Sequence, residues 1–173
     1  GFAGTDQFSY AAHDGERAGN TATVTVVVRG ATTGYHKLVN AGSNTWDQSG
    51  WERDDSFVTG GADWVNSESN GGTSYPIVTA GMPNAAPYNV YKSVRHKDGS
   101  NAPDHTYDFA DVPDGTYTLR MHFIDLYDNR SMDYVVEGVQ ILSGFNPNDE
   151  VDTNHALVKD FSVVVSDGNG LQV

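Results

Sequence analysis

The sequence predicts an all-β fold, a β-sandwich, and three observations carry that expectation. Apolar and polar residues alternate with a period of two in several segments, as in strands buried on one face. Short turn signals separate these segments: Asp14-Gly15, Pro113 to Gly115 and Asp167 to Gly170. No segment sustains a helical period. The closest candidate, Ala85 to Val94, is interrupted by prolines at Pro83 and Pro87.

The elements follow in order along the chain. Phe8 and Tyr10 lie two apart and precede the Asp14-Gly15 turn, and Thr21 to Val28 (TATVTVVV) is β-branched almost throughout. Residues 1–28 therefore read as two strands, too few for a stable domain in water. Residues 29–34 are small and polar and read as a linker, so a second domain is expected over residues 35–173. Within it, Tyr117, Leu119, Met121 and Phe123 share one face of a long strand over Thr116 to Leu126, while Thr118, Arg120 and His122 share the other. Asp133 to Leu142 and Phe161 to Val165 read as further strands. The abundance of glycine, 19 residues, suits many strands joined by tight turns.

Charge and composition exclude several functions. With 23 acidic against ten Lys and Arg residues the net charge is -13, which argues against nucleic acid and anionic lipid. No apolar run approaches the ~20 residues of a spanning helix, so no membrane insertion is expected. The absence of cysteine excludes disulfides, thiolate metal sites and a cysteine nucleophile.

Catalysis finds no support in the residue pattern. Asp54 and Asp55 are adjacent and would point to opposite faces of a strand, which makes them a poor hydrolytic pair. No Ser/His/Asp order, phosphate loop or HExxH is present, and the expectation is a non-enzyme. The six histidines show no zinc spacing. Calcium is the one cofactor the acidic turns could hold, with Asp125, Asp128, Asp149 and Asp152 as candidate oxygen ligands, against the plainer reading of solvated loops.

Residue order adds a family resemblance. Leu38 to Gly42 (LVNAG), the WxxDxxF pattern of Trp51, Asp54 and Phe57 before Gly60-Gly61, Val90 to Arg95 (VYKSVR) and Tyr107 to Phe123 (YDFADVPDGTYTLRMHF) resemble the malectin-like family in order and spacing. Asp125, Arg130 and Gly138 fall at the positions where that family carries an acid, an arginine and a turn glycine. The resemblance implies a jelly-roll-like β-sandwich that binds carbohydrate, lacking within this chain the family's last strand. Residues 1–28 (GxDxFxYxxxDG followed by ATVTVVV) resemble the closing half of a bacterial cadherin-like or immunoglobulin-like repeat.

A pyranose has an apolar face and a polar rim, so it stacks on a ring while amide, guanidinium and carboxylate groups hold its hydroxyls. Trp46, Trp51 and Trp64 fall in one glycine- and serine-rich stretch. Trp64 has no strand context there and reads as a loop aromatic for ligand contact, whereas Trp51 fits a core anchor equally well. The candidate ligand set is Trp51, Asp54, Trp64, Tyr91, Arg95, His96, Asn101 and His105, with Arg95 open to an internal ion pair instead. The loop after Arg95 lacks the aromatics with which malectin-like domains help form a diglucose cleft, so that specificity is not carried over. Asp125 and Arg130 read as an ion pair.

The expected partner is a glycan or polysaccharide outside the cell, bound by a secreted or surface protein. The alternative is a filament or adhesin subunit in which incomplete β-domains exchange edge strands between copies.

Overall fold

The structure is a computed structural model. It describes residues 4–13, 18–28, 34–42, 48–65, 76–97, 104–125 and 130–173. The described residues are all β apart from three single 3₁₀ turns, at Asp54–Ser56, Tyr88–Lys92 and Pro147–Asp149. They divide into two units, Gly1–Gly34 and Tyr35–Val173.

The first unit is a hairpin. Strand β1 (Gly4–His13) pairs antiparallel with β2 (Ala18–Val28) of the same chain, with Phe8 opposite Val24 and a register shift between Ala11 and His13. The exposed polar pairs bond across the ladder, Gln7 to Thr25 at 3.0 Å and Ser9 to Thr23 at 3.1 Å.

The second unit is assembled from short ladders. Strand β3 (Val39–Asn40) runs parallel to β4 (Glu52–Arg53). Strand β5 (Val58–Thr59) joins the edge of β8 (Thr106–Phe109), whose other edge takes β13 (Leu171–Gln172). Strand β6 (Ala62–Val65) pairs with β7 (Ser93–His96). The longest ladder joins β9 (Gly115–Phe123) to β12 (Leu157–Val165) over nine residues without a shift. Strands β10 (Met132–Val136) and β11 (Val139–Phe145) form a hairpin.

Side-chain alternation sets the layers. Tyr117 and Leu119 of β9 face the same way as Phe161, Val163 and Val165 of β12, and they pack on Phe109 and Leu171 of the β5–β8–β13 sheet, with Val112 and Val136 closing the cluster. This sheet-on-sheet packing makes the unit a β-sandwich. Phe123, Phe145 and Leu157 form a second cluster under the β10–β11 hairpin, with rings in edge contact at 5.0 Å for Phe123 and Phe145. A third cluster holds Ile77, Ala86, Val90, Tyr91 and Ala156, with Trp51 and Ile124 packed against it.

Two local readings change. Asp133 to Leu142 is not one strand but two, because Glu137 (φ 50°) and Gly138 (φ 72°) make a two-residue turn of the left-handed kind that hairpins prefer. Trp64 does have strand context: it lies in β6, opposite Val94. The segment Ala85 to Val94 yields a single 3₁₀ turn, not a helix, as its prolines suggested.

One sheet edge is closed by a side chain. Val173 exchanges backbone bonds with Tyr107 of β8, so the N–H and C=O of Gln172 point away from that sheet. The Gln172 N–H donates to Glu137 Oε1 at 2.6 Å, and its carbonyl accepts the Glu137 N–H at 3.0 Å.

Candidate functional site

The site begins with a buried carboxylate. Asp54 opens the 3₁₀ turn after β4 and is fully enclosed. Its Oδ2 accepts the Gly42 backbone N–H (2.9 Å), the Arg95 Nε–H (2.7 Å) and the Tyr107 hydroxyl (2.9 Å), and its Oδ1 accepts from Arg95 Nη2 (2.9 Å). Burial alone would raise this carboxyl; the Arg95, Gly42 and Tyr107 hydrogen bonds outweigh it and hold Asp54 below the usual carboxylate range. Tyr107 is pushed well above the ordinary phenol value, first by burial and then by the Asp54 charge. Gly42 permits the arrangement: its φ is +69°, and a Cβ there would lie 2.2 Å from the Val94 carbonyl oxygen. The anchor thus ties the end of β3, the 54–56 turn, β7 and β8 to one point.

A second constellation gathers on the face of β9 that carries Thr118, Arg120 and His122. The His122 ring stands edge-on to Trp51, with centroids 5.7 Å apart, and to Tyr91 at 5.9 Å. The Tyr91 hydroxyl lies 2.9 Å from His122 Nδ1 and accepts the Ala86 N–H at 3.1 Å. Beside it, Arg120 closes on Asp160 of β12 through two 2.7 Å bonds. Burial, and then Arg120, lower the His122 imidazole below its ordinary value. His105 is lowered likewise, by burial and then Arg95.

Arg95 and Tyr107 of the first constellation and the rings of the second line one cavity of about 870 Å³, within the ~300–1,000 Å³ typical of small-molecule sites. Arg95, His96, His105 and Tyr107 border one part, and Trp51, Tyr91, His122 and Arg120 another. The wall is mainly apolar, with aromatic and aliphatic side chains, and it carries a few polar groups that include His96, His105 and His122. The carboxylates that line it among the described residues, Asp125 and Asp160, are each closed on an arginine, Asp125 on Arg130 at 3.2 Å.

The structure distributes the sequence-predicted residues unevenly. Asp54 and Arg95 form the internal ion pair, so both serve the scaffold. Tyr91 is 2% exposed and belongs to the core. Trp51 is half-buried and serves twice, packing on the third cluster and lining the cavity. His96 and His105 line it beside Arg95, and the Arg95 and His105 side chains both pack on Gly61. For Trp64 the structure describes the backbone in β6; Asn101, Asp128 and Trp46 lie outside the described residues.

Of the four acidic candidates for calcium, Asp125, Asp149 and Asp152 lie among the described residues. Asp125 is buried against Arg130, whereas Asp149 and Asp152 are exposed. Among the described residues no group of three His, Asp or Glu side chains could hold a metal ion. Sequence reasoning missed His122 and Tyr107 as site residues. The signal for His122 was its place on the polar face of β9; Tyr107 showed only as one residue of a hairpin pattern.

A β-sandwich that encloses a cavity lined largely by rings and aliphatic side chains is an architecture that ligand-binding modules use. Residues 36–170 match the family model of the Malectin domain, and the chain belongs to that family. The Malectin domain is a non-catalytic carbohydrate-binding module. No curated protein matches the chain in sequence.

Among solved structures, the fold is similar to Bacteroides uniformis beta-glucuronidase 2 covalently bound to cyclophellitol-6-carboxylate aziridine, at 18% identity and a TM-score of 0.57 over 91% of this chain and 19% of that one. It is similar to a Bacteroides uniformis beta-glucuronidase at 17% identity and a TM-score of 0.56, over 97% of this chain and 20% of that one. A calcium binding mutant of Bacteroides uniformis beta-glucuronidase 2 matches at 16% identity and a TM-score of 0.53, over 94% and 19% of the two chains. The chain spans about a fifth of the length of these enzymes.

Proposed function

We propose that residues 35–173 bind a glycan without turning it over, as a recognition module of a secreted or surface protein. The observation that carries this reading is the cavity wall, where the Trp51 ring stands beside the His122 imidazole among mainly apolar side chains. Rings suit the apolar face of a pyranose, and donors suit its hydroxyls. Hydrolysis needs a free acid and a free base or nucleophile, whereas Asp125 and Asp160 are both neutralised by arginines.

The share of the glucuronidase chains that this chain covers supports a module attached to a larger protein that acts on or adheres to glycans. In that setting the β1–β2 hairpin belongs to an adjoining immunoglobulin-like repeat. Strand exchange at the β13 edge is the weaker reading, because Glu137 already holds the outward backbone groups of Gln172. An array of immobilised neutral and uronate-containing oligosaccharides tests the reading. Retention of the full chain on a defined subset supports it, and the absence of any retained glycan contradicts it.

A further inference from the structure

The inference concerns His122 and rests on the carbohydrate-binding reading of the same cavity. The Tyr91 hydroxyl has one proton to give. Its oxygen already accepts the Ala86 N–H at 3.1 Å. Tyr91 is 2% exposed, and burial raises its phenol above the ordinary value, so the proton stays on. If His122 Nδ1 also donated to that oxygen, the phenol proton would be left buried with no acceptor among the described residues, which is costly. The proton therefore goes to Nδ1 across the 2.9 Å contact. An imidazole that accepts at Nδ1 and is neutral carries its hydrogen on Nε2.

That second nitrogen faces outward. His122 Nε2 has no hydrogen-bond partner among the described residues, yet it is not one of the buried polar atoms lacking a partner, so it is open to solvent. The ring lines the cavity and stands at 72° to Trp51. The charged groups that face it along β9 and β12, Arg120 and Asp160, neutralise each other.

We propose that His122, locked by Tyr91 as the Nε2–H tautomer, is a fixed donor that reads one acceptor oxygen of a glycan whose apolar face lies against Trp51. A locked donor discriminates: it binds a hydroxyl or ring oxygen at that point and rejects a sugar presenting only a carbon there.

Two measurements on the full chain test this. Long-range proton–nitrogen correlation spectra of nitrogen-15-labelled protein at neutral pH should show His122 unprotonated at Nδ1 and protonated at Nε2, with the two tautomers mixing in Tyr91→Phe. Calorimetry with the oligosaccharide best retained on the array should show about a tenfold or greater loss of affinity in His122→Phe. His122→Gln, whose amide N–H can replace Nε2–H, should recover part of it. Thermal unfolding of each variant checks that it is folded. A His122 protonated at Nδ1 would overturn the proposal, as would His122→Phe binding a glycan as tightly as the native chain, or His122→Gln recovering none of the affinity that His122→Phe loses. If the native chain binds no glycan at all, the carbohydrate reading fails first and the proposal falls with it.

Discussion

Arg95 closes on Asp54 through two hydrogen bonds, of 2.7 and 2.9 Å, with the carboxylate fully enclosed and the arginine side chain 9% exposed. The pair is bidentate, the arrangement in which a guanidinium holds a carboxylate best. The Tyr107 hydroxyl and the Gly42 N–H also donate to Oδ2, so the carboxylate is held by donors from three segments, the end of β3, β7 and β8.

Breaking this pair from one side should cost far more than its net worth. Asp54→Asn leaves the largely buried Arg95 guanidinium facing only the exposed Asp55 carboxylate, 3.8 Å away, and should destabilise the domain by about 3–5 kcal/mol. Urea unfolding of the full chain followed through the tryptophans measures this. A loss below about 1 kcal/mol would show that solvent reaches Arg95 freely.

The sign of the acid response follows from the two lowered histidines. In the unfolded chain His105 and His122 take up protons as the pH falls through about 6.5. In the folded protein both resist protonation, because burial disfavours the charged ring. The unfolded state then binds more protons, and stability falls with decreasing pH. Unfolding midpoints in urea should be lower at pH 5 than at pH 7.5. A further loss is expected below about pH 4, where the unfolded chain's counterpart of Asp54 is protonated first. Equal or higher stability at pH 5 would contradict this account.

The capped edge of β13 makes a different prediction. Glu137→Ala removes the acceptor of the Gln172 N–H and frees one backbone donor for another chain's strand. Sedimentation velocity should show more self-association in the variant than in the native chain. If the native chain polymerises and the variant does not, Glu137 belongs to an assembly contact and the filament reading gains.

The extent to which the sequence disclosed all this differs by element. The β9 alternation predicted a strand correctly, because its two faces meet different media: Leu119 packs between sheets while Thr118 is exposed. The break at Glu137 and Gly138 was hidden in the strand pattern, since Glu-Gly is a weaker turn signal than Asn-Gly or Asp-Gly; only the family resemblance pointed to Gly138. The site was less legible. Asp54, Arg95 and Tyr107 are far apart in sequence and meet only through the packing of β7 and β8 around the 54–56 turn. His122 looked like one more polar residue on an outward face. Its significance depends on Trp51 and Tyr91 arriving from two other segments.

The central claim, a glycan held in the cavity against Trp51, is tested most directly by a calorimetric titration. The full chain and Trp51→Ala would each be titrated with the oligosaccharide best retained on the array. The native chain should bind with a dissociation constant in the ~μM–mM range, about -4 to -8 kcal/mol. Trp51→Ala, checked by circular dichroism to be folded, should lose ~1–3 kcal/mol of that, the worth of a ring packed on the ligand. No heat of binding from the native chain, or undiminished affinity in a folded Trp51→Ala, would contradict the claim.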